Sequence, residues 1–361
     1  MRILFIPLDT FNLKSNEHVP NRIGLLSGRN EIIGVKRSKP FTEGMAKATA
    51  YIKFLLYAAK VCLFALRHYK DFDLIYCFES GYALIGVAIS ILTGKPCIRD
   101  NAGVTREWCH RVKPSMLYTL AALTSEKIVS RFMKMMIVLS EADKHAYIIY
   151  GFDPKKIAVI PLPADLSLAD KIAEDKEALR ERLGLERNKR ILIFSGKRDY
   201  PPNMEAAEWI NQVLALAICQ RLNNTQILMT GSGEIPKSVQ SIVTFTGFVP
   251  DLFEYIHASD VFIAPIEMPS GYLTKVFDSL ACSKPTVVMA SATNGIPELL
   301  DGNNAMVAKD RNEFIEKTIY LLEHPDEAEE IGVRGRKMLE ENYSRSIWEE
   351  RLNEVLEGCL I

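Results

Sequence analysis

Twelve short apolar runs, separated by helical patterns, constrain this 361-residue chain more than any other feature. Ile3–Ile6, Ile32–Val35, Leu74–Cys77, Pro96–Asp100, Met136–Leu139 and Ile157–Pro161 read as strands of a first sheet. Ile191–Ser195, Gln226–Thr230, Val243–Thr246, Val261–Ala264, Thr286–Met289 and Ala305–Val307 read as strands of a second. Runs that are apolar almost throughout suit strands buried on both faces, as in a parallel sheet covered by helices. Strand–helix alternation gives βαβ units, so the expected fold class is α/β with two Rossmann-like parallel-sheet domains. Ala164–Asn188 carries no strand signal and is rich in charge. The expected domains are therefore residues 1–165 and 166–345, with residues 346–361 forming a last helix.

Composition narrows the function classes. A net charge of −1 supplies no global attraction to nucleic acid. Seven cysteines are an odd number without a C-x-x-C pair, which points to reduced thiols in a cytoplasmic setting. Cys62, Cys77, Cys97, Cys219 and Cys282 lie in apolar runs and read as core residues. The start, Met1 to Pro7, is too short an apolar run for a signal peptide and reads as a first strand. Asp71-Phe72-Asp73 is a formal D-x-D, yet it falls between a helix and a strand and reads as a turn. The six histidines lack zinc spacing, so no catalytic metal is expected.

Ala46–Leu66 is long and apolar, but Lys47, Lys53 and Lys60 lie within it and Arg67 just beyond. A charge at mid-span costs about 2.5–3.5 kcal/mol in a bilayer, which argues against a membrane span. Lys53, Lys60 and Arg67 are seven apart and share one helix face. Two readings stand: a core helix with a narrow solvated stripe, or a basic amphipathic contact with an anionic membrane surface.

Ser270–Ala308 carries most of the chemistry. The loop Ser270–Leu273 contains Gly271 and Tyr272 and opens onto a helix beginning near Thr274. Unpaired N–H groups and the positive end of a helix dipole suit a diphosphate there. Lys275 sits in the first helical turn, where the dipole disfavours a cation unless an anion binds beside it. Asp278 follows one turn after Thr274 and can accept hydrogen bonds from ribose hydroxyls. Upstream, Gly196, Lys197 and Arg198 follow a strand end, the usual anion-binding edge of an open α/β sheet. Asn203 reads as the N-cap of a helix Met204–Leu216, and Thr230-Gly231-Ser232-Gly233 as a strand-to-helix turn.

These motifs resemble the family-four (group 1) glycosyltransferases, retaining enzymes of the GT-B fold. The resemblance rests on Asp278-Ser279-Leu280-Ala281, Lys284-Pro285-Thr286-Val287-Val288, Gly295-Ile296-Pro297-Glu298 and Asp301-Gly302-Asn303-Asn304-Ala305-Met306-Val307. Val243–Asp251 and Ala258–Pro265 extend it upstream, so it covers most of residues 190–345. It implies two domains facing a central cleft and a last helix crossing back onto the first domain. It implies transfer of a hexose from a UDP- or GDP-linked donor to a glycan or lipid-linked acceptor, without cofactor or metal. The protein would be cytoplasmic, with a peripheral contact at the inner face of an anionic membrane.

By the same resemblance Gly196, Lys197, Arg198, Gly271, Tyr272, Leu273, Thr274 and Lys275 hold the donor diphosphate. Asp278 holds the ribose, and backbone groups at Gly247, Phe248 and Val249 hold the nucleobase. The chain departs from the family where the first motif acid would stand, which is Ser270; Glu267 lies three residues too early. No nucleophile is assigned, and Asp100 and Ser270 remain weak catalytic candidates. Asp100, Asn101 and Gly103 follow a strand end of the first domain, and His110 lies further on. The first loop, Leu8–Asn16, lacks the glycine pair of many relatives. Two alternatives stay open: a non-catalytic GT-B subunit binding a sugar nucleotide or partner, and a GT-B nucleotide-sugar epimerase.

Overall fold

The computed structural model describes residues 1–6, 8–9, 18–37, 47–78, 80–164, 166–267 and 272–360. Residues 10–16 of the polar first loop, and Ser270 and Gly271, lie outside the described residues. Two compact units emerge, one of Met1–Pro163 with Arg345–Ile361 and one of Ala164–Ser344.

In the first unit, β1 (Arg2–Ile6), β2 (Glu31–Ile33), β3 (Leu74–Phe78), β4 (Cys97–Asp100), β5 (Met135–Val138) and β6 (Ile157–Val159) form one sheet. Its order is β2-β1-β3-β4-β5-β6, and every pairing is parallel. Alternate residues feed two cores, because successive side chains point to opposite faces. Leu4, Ile6, Ile75, Cys77, Met136 and Val138 face one layer of helices. That layer is α2 (Lys47–Arg67), α3 (Ser80–Thr93), α5 (Met116–Phe132) and α6 (Glu141–Ile149), with α4 (Thr105–Val112) beside α5. Ile3, Phe5, Leu74, Tyr76 and Ile137 face the other layer, made by α1 (His18–Ser27) and the C-terminal helix Arg345–Gly358. Leu352, Leu356 and Cys359 fill that second core. Gly28 lets the C-terminal helix approach, since a Cβ there would lie 2.0 Å from Glu349 Oε1.

The second unit repeats the scheme with β7 (Arg190–Ser195), β8 (Thr225–Thr230), β9 (Val243–Gly247), β10 (Val261–Ala264), β11 (Thr286–Met289) and β12 (Met306–Ala308). The order is β9-β8-β7-β10-β11-β12, again all parallel. Its helices are α7 (Leu166–Asp170), α8 (Lys176–Arg182), α9 (Pro201–Trp209), α10 (Ala215–Arg221), α11 (Leu252–Ala258), α12 (Thr274–Ala281), α13 (Arg311–Glu323) and α14 (Pro325–Tyr343). All twelve expected strands are present to within one or two residues, and the α/β class with two parallel sheets holds.

Three local expectations are corrected. The helix after β7 starts at Pro201, whose fixed φ suits a first turn, so Asn203 lies inside that turn instead of capping it. The Gly231–Gly233 turn leads into irregular chain and not into a helix. Cys219 is exposed, unlike the other apolar-run cysteines.

Helix α14 seats α12, the helix that carries Lys275 and Asp278. Two glycines on one face of α14 make the close approach possible. A Cβ at Gly332 would lie 2.0 Å from the Ser283 carbonyl oxygen, and one at Gly335 would lie 2.7 Å from Leu280 Cδ2. Gly332→Ala forces backbone apart and should destabilise by about 1–3 kcal/mol. Gly358→Ala, where a Cβ meets nothing within 4 Å, serves as the control. Urea unfolding compares the two; equal midpoints would remove this account of how α12 is seated.

Candidate functional site

Strand order reverses on either side of β7, so its carboxyl end is the switch point of the second sheet. Gly196, the next residue, donates its N–H to the Thr230 carbonyl at 3.0 Å. Gly231 has φ +113 and packs directly on it: a Cβ there would lie 2.3 Å from Gly196 O. Gly231 N–H in turn donates to the Gly247 carbonyl at 2.8 Å. Three adjacent strand ends, β7, β8 and β9, are thus joined backbone to backbone.

The two expected cations at this edge part ways. Arg198 is buried and turns inward. Its Nη1, Nη2 and Nε donate to the carbonyls of Gly231, Gly233 and Glu234 at 2.8, 3.0 and 3.0 Å. The guanidinium also lies over the Phe245 ring, 5.0 Å from its centroid. Arg198 therefore pins the turn after β8 and does not display its charge at the strand end. Lys197 is exposed, and its Nζ lies 3.2 Å from Asp199 Oδ2.

Lys275 comes to the same strand end from a different element. Helix α12 begins at Thr274, as expected, and its N-cap Leu273 makes no side-chain cap. Lys275 is half-buried, and its Nζ donates to Asn203 Oδ1 at 2.6 Å. The ammonium lies 4.6 Å from the Phe194 ring centroid. It also occupies the space over Gly196, where a Cβ would fall 2.8 Å from Nζ. Asn203 is held by its own Nδ2, which donates to the Lys197 carbonyl at 2.9 Å, leaving Oδ1 aimed at the lysine. Burial pulls the Lys275 pKa down to about 7, and the Asp278 carboxylate opposes that shift without cancelling it. Glu267 pairs with Arg311, Nε to Oε1 at 3.4 Å. Sequence reasoning missed the contacts of Asn203 and Phe194 with Lys275; Pro201-Pro202 was the available signal, because it moves the helix start from Met204 to Pro201.

Tyr272 and Leu273 are both buried. The Tyr272 ring stacks on Phe277 at 4.6 Å and meets Tyr343 edge-on at 6.3 Å. Tyr343 donates its hydroxyl to Glu298. These side chains pack inward, so at Tyr272 and Leu273 it is the backbone that is left to a ligand. Asp278 is half-buried on the same helix, one turn past Thr274. At the β9 end, Gly247 has φ +73, Val249 is half-buried, and Phe248 projects with 80% of its surface exposed.

The candidates in the first unit do structural work. Asp100 is fully buried, contrary to a catalytic role in an open site. It pairs with Arg22 Nε at 2.5 Å and accepts the Tyr76 hydroxyl at 2.6 Å. Arg22 Nη2 also donates to the Ile160 carbonyl at 2.8 Å. Burial raises the Asp100 pKa, although Arg22 and Tyr76 pull it down. Asn101 is buried too, accepting from Arg99 Nε at 3.0 Å and donating to the Tyr147 hydroxyl. Gly103 is half-buried, and its carbonyl accepts weakly from Tyr147 at 3.4 Å. His110 is exposed on α4. Asp71 accepts from His68 at 2.8 Å, and Asp73 accepts the Arg2 amide at 2.8 Å, as turn residues do.

Residues 189–324 match the family profile described as Glycosyl transferases group 1. The trehalose synthase of Thermococcus litoralis is 38% identical over 87 residues, 24% of this chain and 20% of that protein. The UDP-Gal:alpha-D-GlcNAc-diphosphoundecaprenol alpha-1,3-galactosyltransferase of Escherichia coli is 25% identical over 270 residues, 70% of this chain and 64% of that protein. The chain thus spans less than two thirds of the length of either relative. Among solved structures, Anabaena HepE in complex with UDP and glucose superposes with a TM-score of 0.75 at 17% identity, covering 99% of this chain and 100% of that one. The sucrose-phosphate synthase of Thermosynechococcus elongatus gives 0.74 at 15% identity, with 99% and 98% covered. At such identities the likeness speaks to the fold, which is GT-B.

Asp100→Asn should leave the Arg22 charge unpaired in the core and cost about 3–5 kcal/mol of stability. Urea unfolding checks this, together with nucleotide binding by the second unit, which should be unchanged. Normal stability with loss of turnover would return Asp100 to the catalytic candidates.

Proposed function

We propose that the chain is a group 1 glycosyl transferase, the family whose profile residues 189–324 match, and that it moves a hexose from a nucleotide-diphosphate sugar to a glycan or lipid-linked acceptor. The observation that carries this reading is Lys275. A half-buried ammonium stands at the positive end of α12, against its own electrostatic preference, beside the carboxyl end of β7. A diphosphate there would accept from that ammonium, at the helix end whose dipole favours an anion. Lys197 supplies a second, exposed cation at the same strand end. Asp278 is set to accept from ribose hydroxyls, and the exposed Phe248 ring beside Gly247 offers a face to the base.

The Escherichia coli relative is named for UDP-Gal and a diphosphoundecaprenol-linked acceptor, and the HepE complex holds UDP and glucose. The former supports a UDP-linked donor, while a Corynebacterium glutamicum relative, 26% identical over 202 residues, is named as GDP-mannose-dependent, so the donor is UDP- or GDP-linked in this reading. The lipid-linked acceptor of the former supports an acceptor at the inner face of a membrane, reached from a reducing cytoplasm that suits seven free cysteines.

Transfer proceeds with retention in this reading. The protein's part is to position the anomeric carbon and to neutralise charge growing on the leaving diphosphate. Lys275 and Lys197 provide positive charge where that charge appears, so turnover does not depend on a divalent cation. A panel of UDP- and GDP-sugars screened by thermal shift, followed by transfer assays, tests the reading directly. Transfer should persist in EDTA; complete loss restored by manganese or magnesium would overturn metal independence.

Two substitutions separate the parts of the donor. Asp278→Asn should weaken nucleoside mono- and diphosphate binding about ten-fold or more, since a charge-assisted hydrogen bond is worth roughly 1.5–3 kcal/mol. Lys275→Gln should spare the monophosphate and weaken the nucleotide sugar. It should also remove a pH dependence. With its pKa near 7, Lys275 is partly neutral in the free protein above that pH. An anion favours the charged form, so binding takes up a proton and weakens as pH rises, by at most about ten-fold per unit. Calorimetric titration with a UDP-sugar at neutral and at mildly alkaline pH should show this for the parent and not for Lys275→Gln. Parent-like binding by both variants would mean the donor site lies elsewhere.

A further inference from the structure

Helix α2 is apolar on two opposite faces. Tyr57, Val61 and Ala65 point into the core of the first unit. At about 100° per residue, the side chains directly opposite are Ile52, Leu55, Leu56, Leu63 and Leu66. All five are exposed, Leu55 and Leu56 by about two thirds of their surface. Lys53, Lys60 and Arg67 lie between the two faces, on one flank of the outer stripe, and all three are exposed. The expected core helix with a narrow solvated stripe is therefore not what forms: the outward face is itself apolar, with a basic edge.

The neighbours continue this surface. Helix α3 packs beside α2 and contains no charged residue; its outward positions include Leu84, Ile91 and Leu92, all exposed. Helix α5 packs on the far side of α3 and exposes Leu117, Leu120, Ile128 and Phe132 among Lys127 and Arg131. The acid within these three helices is Glu126, which is buried and paired with Arg99 at 2.6 Å. One layer of three helices thus exposes large aliphatic groups and basic groups and no carboxylate. Contiguous apolar surface of this kind is uncommon on a protein surrounded only by water. Among the described residues, no helix is long and apolar enough to cross a membrane.

We propose that the outer face of α2, α3 and α5 is a docking surface for an anionic lipid bilayer. Leucines, isoleucines and Phe132 enter the boundary between headgroups and acyl chains, while Lys60, Arg67, Lys127 and Arg131 meet lipid phosphates. The charge pattern selects this occupant. A purely apolar partner would not need the basic flank, and a soluble polyanion would leave the aliphatic stripe in water. The inference is independent of the donor site, which lies in the other unit.

Vesicle co-sedimentation tests it with the full chain. The protein should pellet with phosphatidylglycerol-containing vesicles at low salt and stay in solution with phosphatidylcholine alone. Salt should release part of the bound protein, because screening weakens the ionic part and not the apolar part. Lys60→Glu, Lys127→Glu and Arg131→Glu combined should lower partitioning roughly 100-fold. Leu55→Ser with Leu117→Ser should lower it several-fold and make the remainder fully salt-sensitive. All substituted side chains are on the surface, so circular dichroism melts and UDP binding should match the parent. Trp108 is exposed and sits 6.1 Å from Tyr118 at the start of α5, so its emission should shift to the blue with anionic vesicles. Three results would overturn the proposal: no pelleting with any vesicle, equal pelleting with neutral and anionic vesicles, or a dimer in sedimentation velocity that Leu55→Ser with Leu117→Ser dissociates.

Discussion

A half-buried ammonium at the wrong end of a helix dipole is the constraint around which the second unit is organised. Lys275 has to be desolvated, kept clear of side chains at Gly196, and given at least one acceptor. Each need is met by a different element. Gly196, which has no Cβ, follows strand β7, α9 contributes the Asn203 oxygen, and Phe194 places a ring face under the charge. Packing of α14 through Gly332 and Gly335 holds the far end of α12, at Leu280 and Ser283. The arrangement is under-compensated for a lysine by itself, and a bound anion would balance it, in keeping with the proposed donor site.

The same edge shows how one strand end divides labour between adjacent cations. Lys197 and Arg198 are neighbours, so their backbones reach the same place while their side chains leave in different directions. Arg198 satisfies three carbonyls of a glycine-rich turn that would otherwise have no partner for those groups. A planar fork with several donors suits that task better than a single ammonium. With the turn held, Gly196, Gly231 and Gly247 stay in register, and the exposed Lys197 and Phe248 project from a rigid edge. In the first unit the polar side chains near strand ends are used inward. Arg22, Asp100 and Tyr76 form one buried group, and Arg99, Glu126, Asn101 and Tyr147 another. These networks join the sheet to the helices within the unit.

Much of the fold was legible because its signals are local. Strands buried on both faces leave uninterrupted apolar runs, and the helical crossovers between them bring successive strands in parallel. The glycine loop, Lys275 and Asp278 were legible for a similar reason: helix starts, dipole sign and one-turn spacing are properties of a single segment. Asn203 was misjudged because asparagine is a favoured N-cap residue, and the two prolines place it at N3 only once the helix is seen to start at Pro201. Asp100 looked available because strand ends in this class of sheet usually face a ligand, yet its neighbour in space is Arg22, 78 residues away.

The sequence by itself determined two parallel α/β sheets, the strand ends that carry glycines and cations, and the segment suited to a diphosphate. All of these follow from periodicity, propensity and charge along continuous stretches of chain. Only the tertiary structure decided which of two adjacent cations is spent on carbonyls, which asparagine holds Lys275, and whether Asp100 is open or buried. It also decided that α2 has an apolar face left over. Periodicity counts the apolar faces of a helix, but how many of them find a core depends on the neighbours that the fold brings alongside.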